Sequence, residues 1–182
     1  FPKAQMDLEE ALIRNLEGVK QKQAEIVKMW FDERRHDAKV VSRNISGLME
    51  RSVNDKLKGY PKLYDCIDMV RTEYGYKMVY IVSCDGTVLV ATQRQLIGFN
   101  MLGYDYCREG LNGTICISKI QCFDQGEGES KKSDSDGPMM YISAPLIDSD
   151  NRTIGAVVLK VNTLPLSEIM KRAKLGKTGE TF

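Results

Sequence analysis

The chain holds a single histidine, His36, and no proline between residues 4 and about 54. None of its five cysteines (Cys66, Cys84, Cys107, Cys116, Cys122) forms a C-x-x-C pair. Zinc therefore lacks both the ligand spacing and the nitrogen donors it needs, and no metal is expected. The catalytic inventory is equally thin. A Ser-His-Asp arrangement would have to rely on His36, which sits in a charged helical segment, and there is no phosphate loop and no H-E-x-x-H. Gly126-Glu127-Gly128 is a flexible loop, not a nucleotide cradle. Neither an enzyme nor a bound cofactor is expected. The formal charge is +1, too small to attract nucleic acid. No run approaches the roughly 18 apolar residues of a membrane span. The chain opens at Phe1 and reads as an excised fragment.

What is present describes a globular protein, 42% hydrophobic and 28% charged. An odd cysteine count leaves at least one thiol unpaired. Cys116 and Cys122 are close enough to bridge if the chain turns between them, but small buried hydrophobes are the simpler reading of all five.

The missing prolines at the start mark a helix. Leu8, Leu12, Leu16, Val19, Ile26 and Trp30 recur at helical spacing, with Gln23 breaking the stripe, and the pattern continues through Val41, Ile45, Leu48 and Met49. About 50 residues of helix would run roughly 75 Å, longer than a domain of this size. The first half is expected to form a parallel dimer stalk and the second to pack on the domain. Gly59-Tyr60-Pro61 is read as the end of that helix, and Lys62 to Tyr74 as a second one. Met78–Cys84 and Thr87–Thr92 are strands about an Asp85-Gly86 turn. Residues 93 to 103 read as loop, Tyr104–Leu111 as a short helix and Thr114–Phe123 as a third strand. Residues 124 to 137 form a polar loop. Two apolar runs then flank the turn Asp148-Ser149-Asp150-Asn151-Arg152, and Pro165 opens a last helix. The expected class is α+β, a long N-terminal helix packed on a five-stranded antiparallel sheet.

Four segments carry a family resemblance: YIVSCDGTVLVAT (80 to 92), GYDYCREGLNG (103 to 113), MMYISAPLIDSDNRTIGAVVLKV (139 to 161) and LGKTGETF (175 to 182). Together they resemble the extracytoplasmic Cache (PDC) sensor domain, in particular the membrane-distal half of a double Cache domain. The resemblance implies a domain on the periplasmic or extracellular face of the membrane. Its parent would be a membrane-anchored histidine kinase, chemoreceptor or diguanylate cyclase. The implied layout is a stalk helix over 1–55, a sensor domain over 56–175 and the start of a following segment or second Cache half over 176–182. It also implies a homodimer through the N-terminal helix and a small-molecule pocket between the sheet and the Tyr104 helix.

One residue of that pocket stands out on physical grounds. Lys160 is the only charge in the last apolar run, beside Gly155, Ala156, Val157, Val158 and Leu159. An ammonium there needs a path to water or an anion to meet it. Amino-acid-sensing members of the family resembled place an aspartate at this position and an arginine where Tyr104 stands; carboxylate-sensing relatives place a lysine in the strand. The expected ligand is therefore a two- to four-carbon carboxylate or similar anion. Tyr104 and Tyr106 would donate hydroxyls and form an apolar wall, with Ser118 or Lys119 and Tyr141 or Ser143 completing the polar lining. Strand alternation sets Tyr141 and Ser143 on one face and Met140 and Ile142 on the other; the polar pair is taken as the inward one. Arg94 is considered as a cap reaching in from its loop, and Arg108 as a solvated helix charge. Three other readings stay open: a dimerisation module without a ligand, an amino-acid sensor with an atypical pocket, and a cytoplasmic PAS-type sensor using a cysteine or a flavin.

Overall fold

A computed structural model describes residues 2–54, 59–121 and 137–175. The elements are α1 (Pro2–Asn54), α2 (Gly59–Tyr74), β1 (Met78–Ser83), β2 (Val88–Ala91), α3 (Asp105–Leu111), β3 (Cys116–Ile117), β4 (Met139–Ile147), β5 (Thr153–Asn162) and α4 (Leu164–Leu175). The strands form one antiparallel sheet in the order β2-β1-β5-β4-β3. The chain divides into two units, Phe1–Glu33 with Leu164–Phe182, and Arg34–Thr163. The sheet and the candidate site belong to the second.

Within that second unit, one sheet face lies under the later turns of α1 and under α2. Ala38, Val41, Ile45 and Met49 of α1 and Leu63, Ile67 and Val70 of α2 are all buried, at the three- and four-residue spacing of an apolar helix face. Two serines on α1 join this layer to the sheet. Ser42 donates to the Pro145 carbonyl, and Ser46 accepts from the Ile147 N–H at 2.9 Å.

The turns explain why the strands pair in this register. Gly86 takes φ +80, which a side chain resists, and the Asp85 carboxylate accepts from Ser83 Oγ and from the Thr87 N–H. Asp148 binds the N–H groups of Asp150 and Arg152, while Asn151 supplies the left-handed residue at φ 63. These side-chain bonds hold both carboxyls below the usual carboxylate range: the Ser83 hydroxyl is the main cause for Asp85, and the Arg152 N–H for Asp148.

Three expected boundaries move. Gly59 opens α2 instead of closing α1, because Pro61 falls in the first turn, where a helix has no use for its N–H. The loop after β2 contains a 3-10 turn at Arg94–Leu96. Among the described residues the third strand is Cys116–Ile117, shorter than the expected Thr114–Phe123, of which Cys122 and Phe123 lie outside the described residues. Beyond Ile117, Ser118 N–H still donates to the Tyr141 carbonyl and Gln121 pairs with Met139. Lys119 and Ile120 therefore stand opposite Met140 alone, and this extra residue interrupts the ladder as a bulge does. Cys66, Cys84, Cys107 and Cys116 are free thiols; Cys122, the partner considered for Cys116, lies outside the described residues, as does the 124–136 part of the polar loop.

Candidate functional site

The second sheet face is set by strand register. Lys160 stands between Met78 on β1 and Tyr141 on β4. One step along, Val158 lies between Tyr80 and Ser143, so Tyr80, Tyr141, Ser143 and Lys160 share this face. Met140 and Ile142 point to the α1–α2 side. Tyr80, Tyr141, Tyr106, Met78, Val158 and Cys107 belong to a single buried cluster, against which Tyr104 packs half-buried.

The short helix α3 closes over this face. Gly110 permits the approach: a Cβ there would lie 2.8 Å from Ser143 Oγ and 3.2 Å from Ala156 Cβ. Ser143 donates to the Tyr106 carbonyl, a buried bond joining β4 to α3. Tyr104 is the N-cap residue of α3, and Tyr106 lies in its first turn. Their rings and that of Tyr141 form a three-ring stack. Tyr104 and Tyr106 centroids are 5.5 Å apart, and Tyr106 and Tyr141 lie 4.9 Å apart with planes 4° from parallel. Each such pair contributes about 0.5–1.5 kcal/mol beyond its buried area. The phenol oxygens of Tyr80 and Tyr106 are in hydrogen-bond contact.

Lys160 is 2% exposed, so its side chain does not run out to solvent. No aspartate or glutamate occurs anywhere in β1, β4 or β5. A cation, phenol hydroxyls and a serine hydroxyl on an apolar sheet face form a donor-rich, desolvated environment. Coulomb attraction to an anion is several-fold stronger there than in water. Burial also raises the Cys107 thiol to about 11, against a smaller opposing effect of Arg108, so it stays protonated at neutral pH. Among the described residues no cluster of histidine, cysteine or carboxylates could hold a metal.

The structure thus brings together Tyr104, Tyr106, Tyr141, Ser143 and Lys160. Ser118 sits at the β3–β4 edge, half-buried, where its hydroxyl accepts from the Tyr141 N–H at 2.9 Å. Lys119 is exposed. Arg108 is 48% exposed, donates to the Leu102 carbonyl at 2.6 Å and pairs with Asp105. Arg94 is elsewhere, its guanidinium 5.4 Å above the Tyr64 ring. Tyr80 was not singled out from sequence. Its signal was present in the alternation Met78, Tyr80, Val82, which puts a phenol on one face of an otherwise aliphatic strand.

A helix-flanked five-stranded sheet in this order, with a short helix closing one face, is the Cache (PDC) sensor-domain fold. Several solved sensor domains share it. The sensory domain of the Campylobacter jejuni chemoreceptor Tlp3 matches with a TM-score of 0.75 and 14% identity, over 93% of this chain and 68% of that one. The sensor domain of the V. cholerae histidine kinase DctB matches with a TM-score of 0.67 and 14% identity, over 88% of this chain. The E. coli DcuS sensor domain gives 0.57 and 14% over 77% of this chain and 96% of that one. The chain spans 59% of the DctB structure. No family model and no curated protein matches the chain. The structural neighbours are sensor and ligand-binding domains of signalling receptors, not catalytic ones.

Proposed function

We propose that this chain is the extracytoplasmic ligand-binding part of a membrane-anchored receptor, a histidine kinase, chemoreceptor or diguanylate cyclase, and that it senses a small carboxylate. The observation that carries the ligand class is the burial of Lys160 on the sheet face that also holds the phenols of Tyr80 and Tyr141. A carboxylate of two to four carbons would meet the ammonium and take hydroxyl donors from Tyr104, Tyr106 and Tyr141, with Ser143 holding the Tyr106 carbonyl beside it and Ser118 at its rim. Because Lys160 is covered, α3 must shift to admit the ligand, and a ligand that favours one α3 position moves the population toward it. The N-terminal part of α1 is the stalk of a homodimer in this reading. Leu16 and Ile26 of its apolar stripe are exposed, as a helix seam awaiting a partner would be.

A Tlp3 structure contains L-valine, so an amino acid is the second reading. It is disfavoured because no carboxylate on β1, β4 or β5 could hold the ammonium.

The test is thermal shift and calorimetry with acetate, pyruvate and succinate, each beside its methyl ester. An acid at a hundred times its dissociation constant should add about 2.7 kcal/mol of stability. Lys160→Met should weaken it at least about tenfold, the effect of a lost charged contact. Equal binding of the neutral esters, or an unchanged affinity in Lys160→Met, would sink the anion assignment. No response to any acid or amino acid would favour a dimerisation module.

A further inference from the structure

A concavity lies on the other side of the sheet. It is an open groove of about 440 Å³ between α2 and β2, lined by Pro61, Tyr64, Asp65, Leu89, Val90, Arg94 and Ile97. It shares no residue with the Lys160 site. Val90 pairs with Ile81, on the sheet face opposite the tyrosine cluster. Its size falls in the range of small-molecule sites, about 300–1,000 Å³.

Most of its wall is apolar, yet three polar side chains, Tyr64, Asp65 and Arg94, line it. Among the described residues, the side chains of Tyr64 and Asp65 make no hydrogen bond or ion pair, and Arg94 makes only its contact with the Tyr64 ring. That contact consumes no hydrogen bond, so the guanidinium N–H groups can still meet an acceptor. Arg94 and Asp65 do not pair with each other, although both line the same groove. A ligand of one charge would satisfy one of them and be repelled by the other. A zwitterion satisfies both, with its carboxylate on Arg94 and its ammonium on Asp65. Leu89, Val90, Ile97 and Pro61 then offer an apolar surface to the rest of the molecule.

We infer that this groove is a second ligand site, for an apolar zwitterion of the size of a free aliphatic α-amino acid. The inference is independent of the carboxylate reading, since it rests on different residues and on the opposite sheet face.

The experiment is a titration of the whole chain with L-leucine, followed by amide NMR and calorimetry. Two analogues serve as controls: leucinamide, which lacks the anion, and N-acetyl-leucine, which lacks the cation. L-leucine should shift the amides of Tyr64, Leu89, Val90 and Ile97 and leave those of Tyr141 and Lys160 in place. Arg94→Gln and Asp65→Asn should each weaken it by about tenfold or more, while both analogues bind at least as poorly. Lys160→Met should leave it unchanged. Absence of shifts in the groove, an equal response to N-acetyl-leucine, or shifts that move to the Lys160 face would overturn the proposal. Because both groove substitutions are at solvent-exposed positions, native unfolding midpoints in the variants will confirm that any loss is one of binding.

Discussion

The phenol oxygens of Tyr80 and Tyr106 lie 3.2 Å apart, one on β1 and the other on α3. This bond and the one from Ser143 to the Tyr106 carbonyl fix the short helix to two different strands. The helix that closes over this sheet face is therefore held by a few discrete polar contacts as well as by packing. Tyr80→Phe should lower stability by about 0.5–1.5 kcal/mol, the net worth of a hydrogen bond, as read from urea unfolding. No loss would mean the pair does not tie α3 down.

Gly110→Ala places a methyl group 2.8 Å from Ser143 Oγ and 3.0 Å from Ser143 Cβ. Ser143 is fully buried and bonded, so it cannot swing aside. Overpacking of this kind costs about 1–3 kcal/mol, more than alanine's helix preference of about 1 kcal/mol returns. The variant should be less stable than the wild type in denaturant titration. A more stable variant would show that α3 is free to lift.

Cys107 offers a direct report on that movement. Buried and held at about 11, it should react with iodoacetamide far more slowly than exposed Cys84 at pH 8. Mass spectrometry of partly labelled protein gives the order. Labelling of Cys107 at the rate of Cys84 would contradict the closed arrangement, and a carboxylate that shifts α3 should change the Cys107 rate alone.

Acid should loosen the two turns. The Asp85 and Asp148 carboxyls are depressed by hydrogen bonds made only in the folded chain. A depressed carboxyl contributes stability above its unfolded value, about 3.9, and that contribution is lost as pH falls through the lower folded value. Unfolding midpoints should therefore drop below about pH 4, and Asp85→Asn should drop less over the same range. Equal acid sensitivity in the variant would assign the effect to other groups.

Sequence alone reveals the parts of this fold whose signals are local. Asp85-Gly86 and the Asp148–Arg152 turn bracket strands at the residues expected, because turn chemistry fixes hairpin register. Ala38, Val41 and Ile45 announce a buried helix face by spacing. The third strand is less legible: Thr114 to Phe123 has a strand's composition, while a two-against-one mismatch opposite Met140 is a property of pairing, not of composition. Among the site residues, alternation gave the shared face of Tyr141 and Ser143. The contribution of Tyr80 and the position of Arg94 over Tyr64 depend on how distant segments meet. Neither can be found by reading along the chain.

β5 lies at the centre of the sheet, between β1 and β4, yet it is the last of the described strands along the chain. During synthesis the β1–β2 hairpin emerges first and β4 later, and neither has its main neighbour until residue 162 has left the ribosome. Until then both present bare strand edges, the surface most prone to wrong pairing. Any parent protein carrying this domain must shelter an unfinished sheet until its final strand arrives, and a stop before Thr153 would leave two orphaned halves instead of a smaller domain.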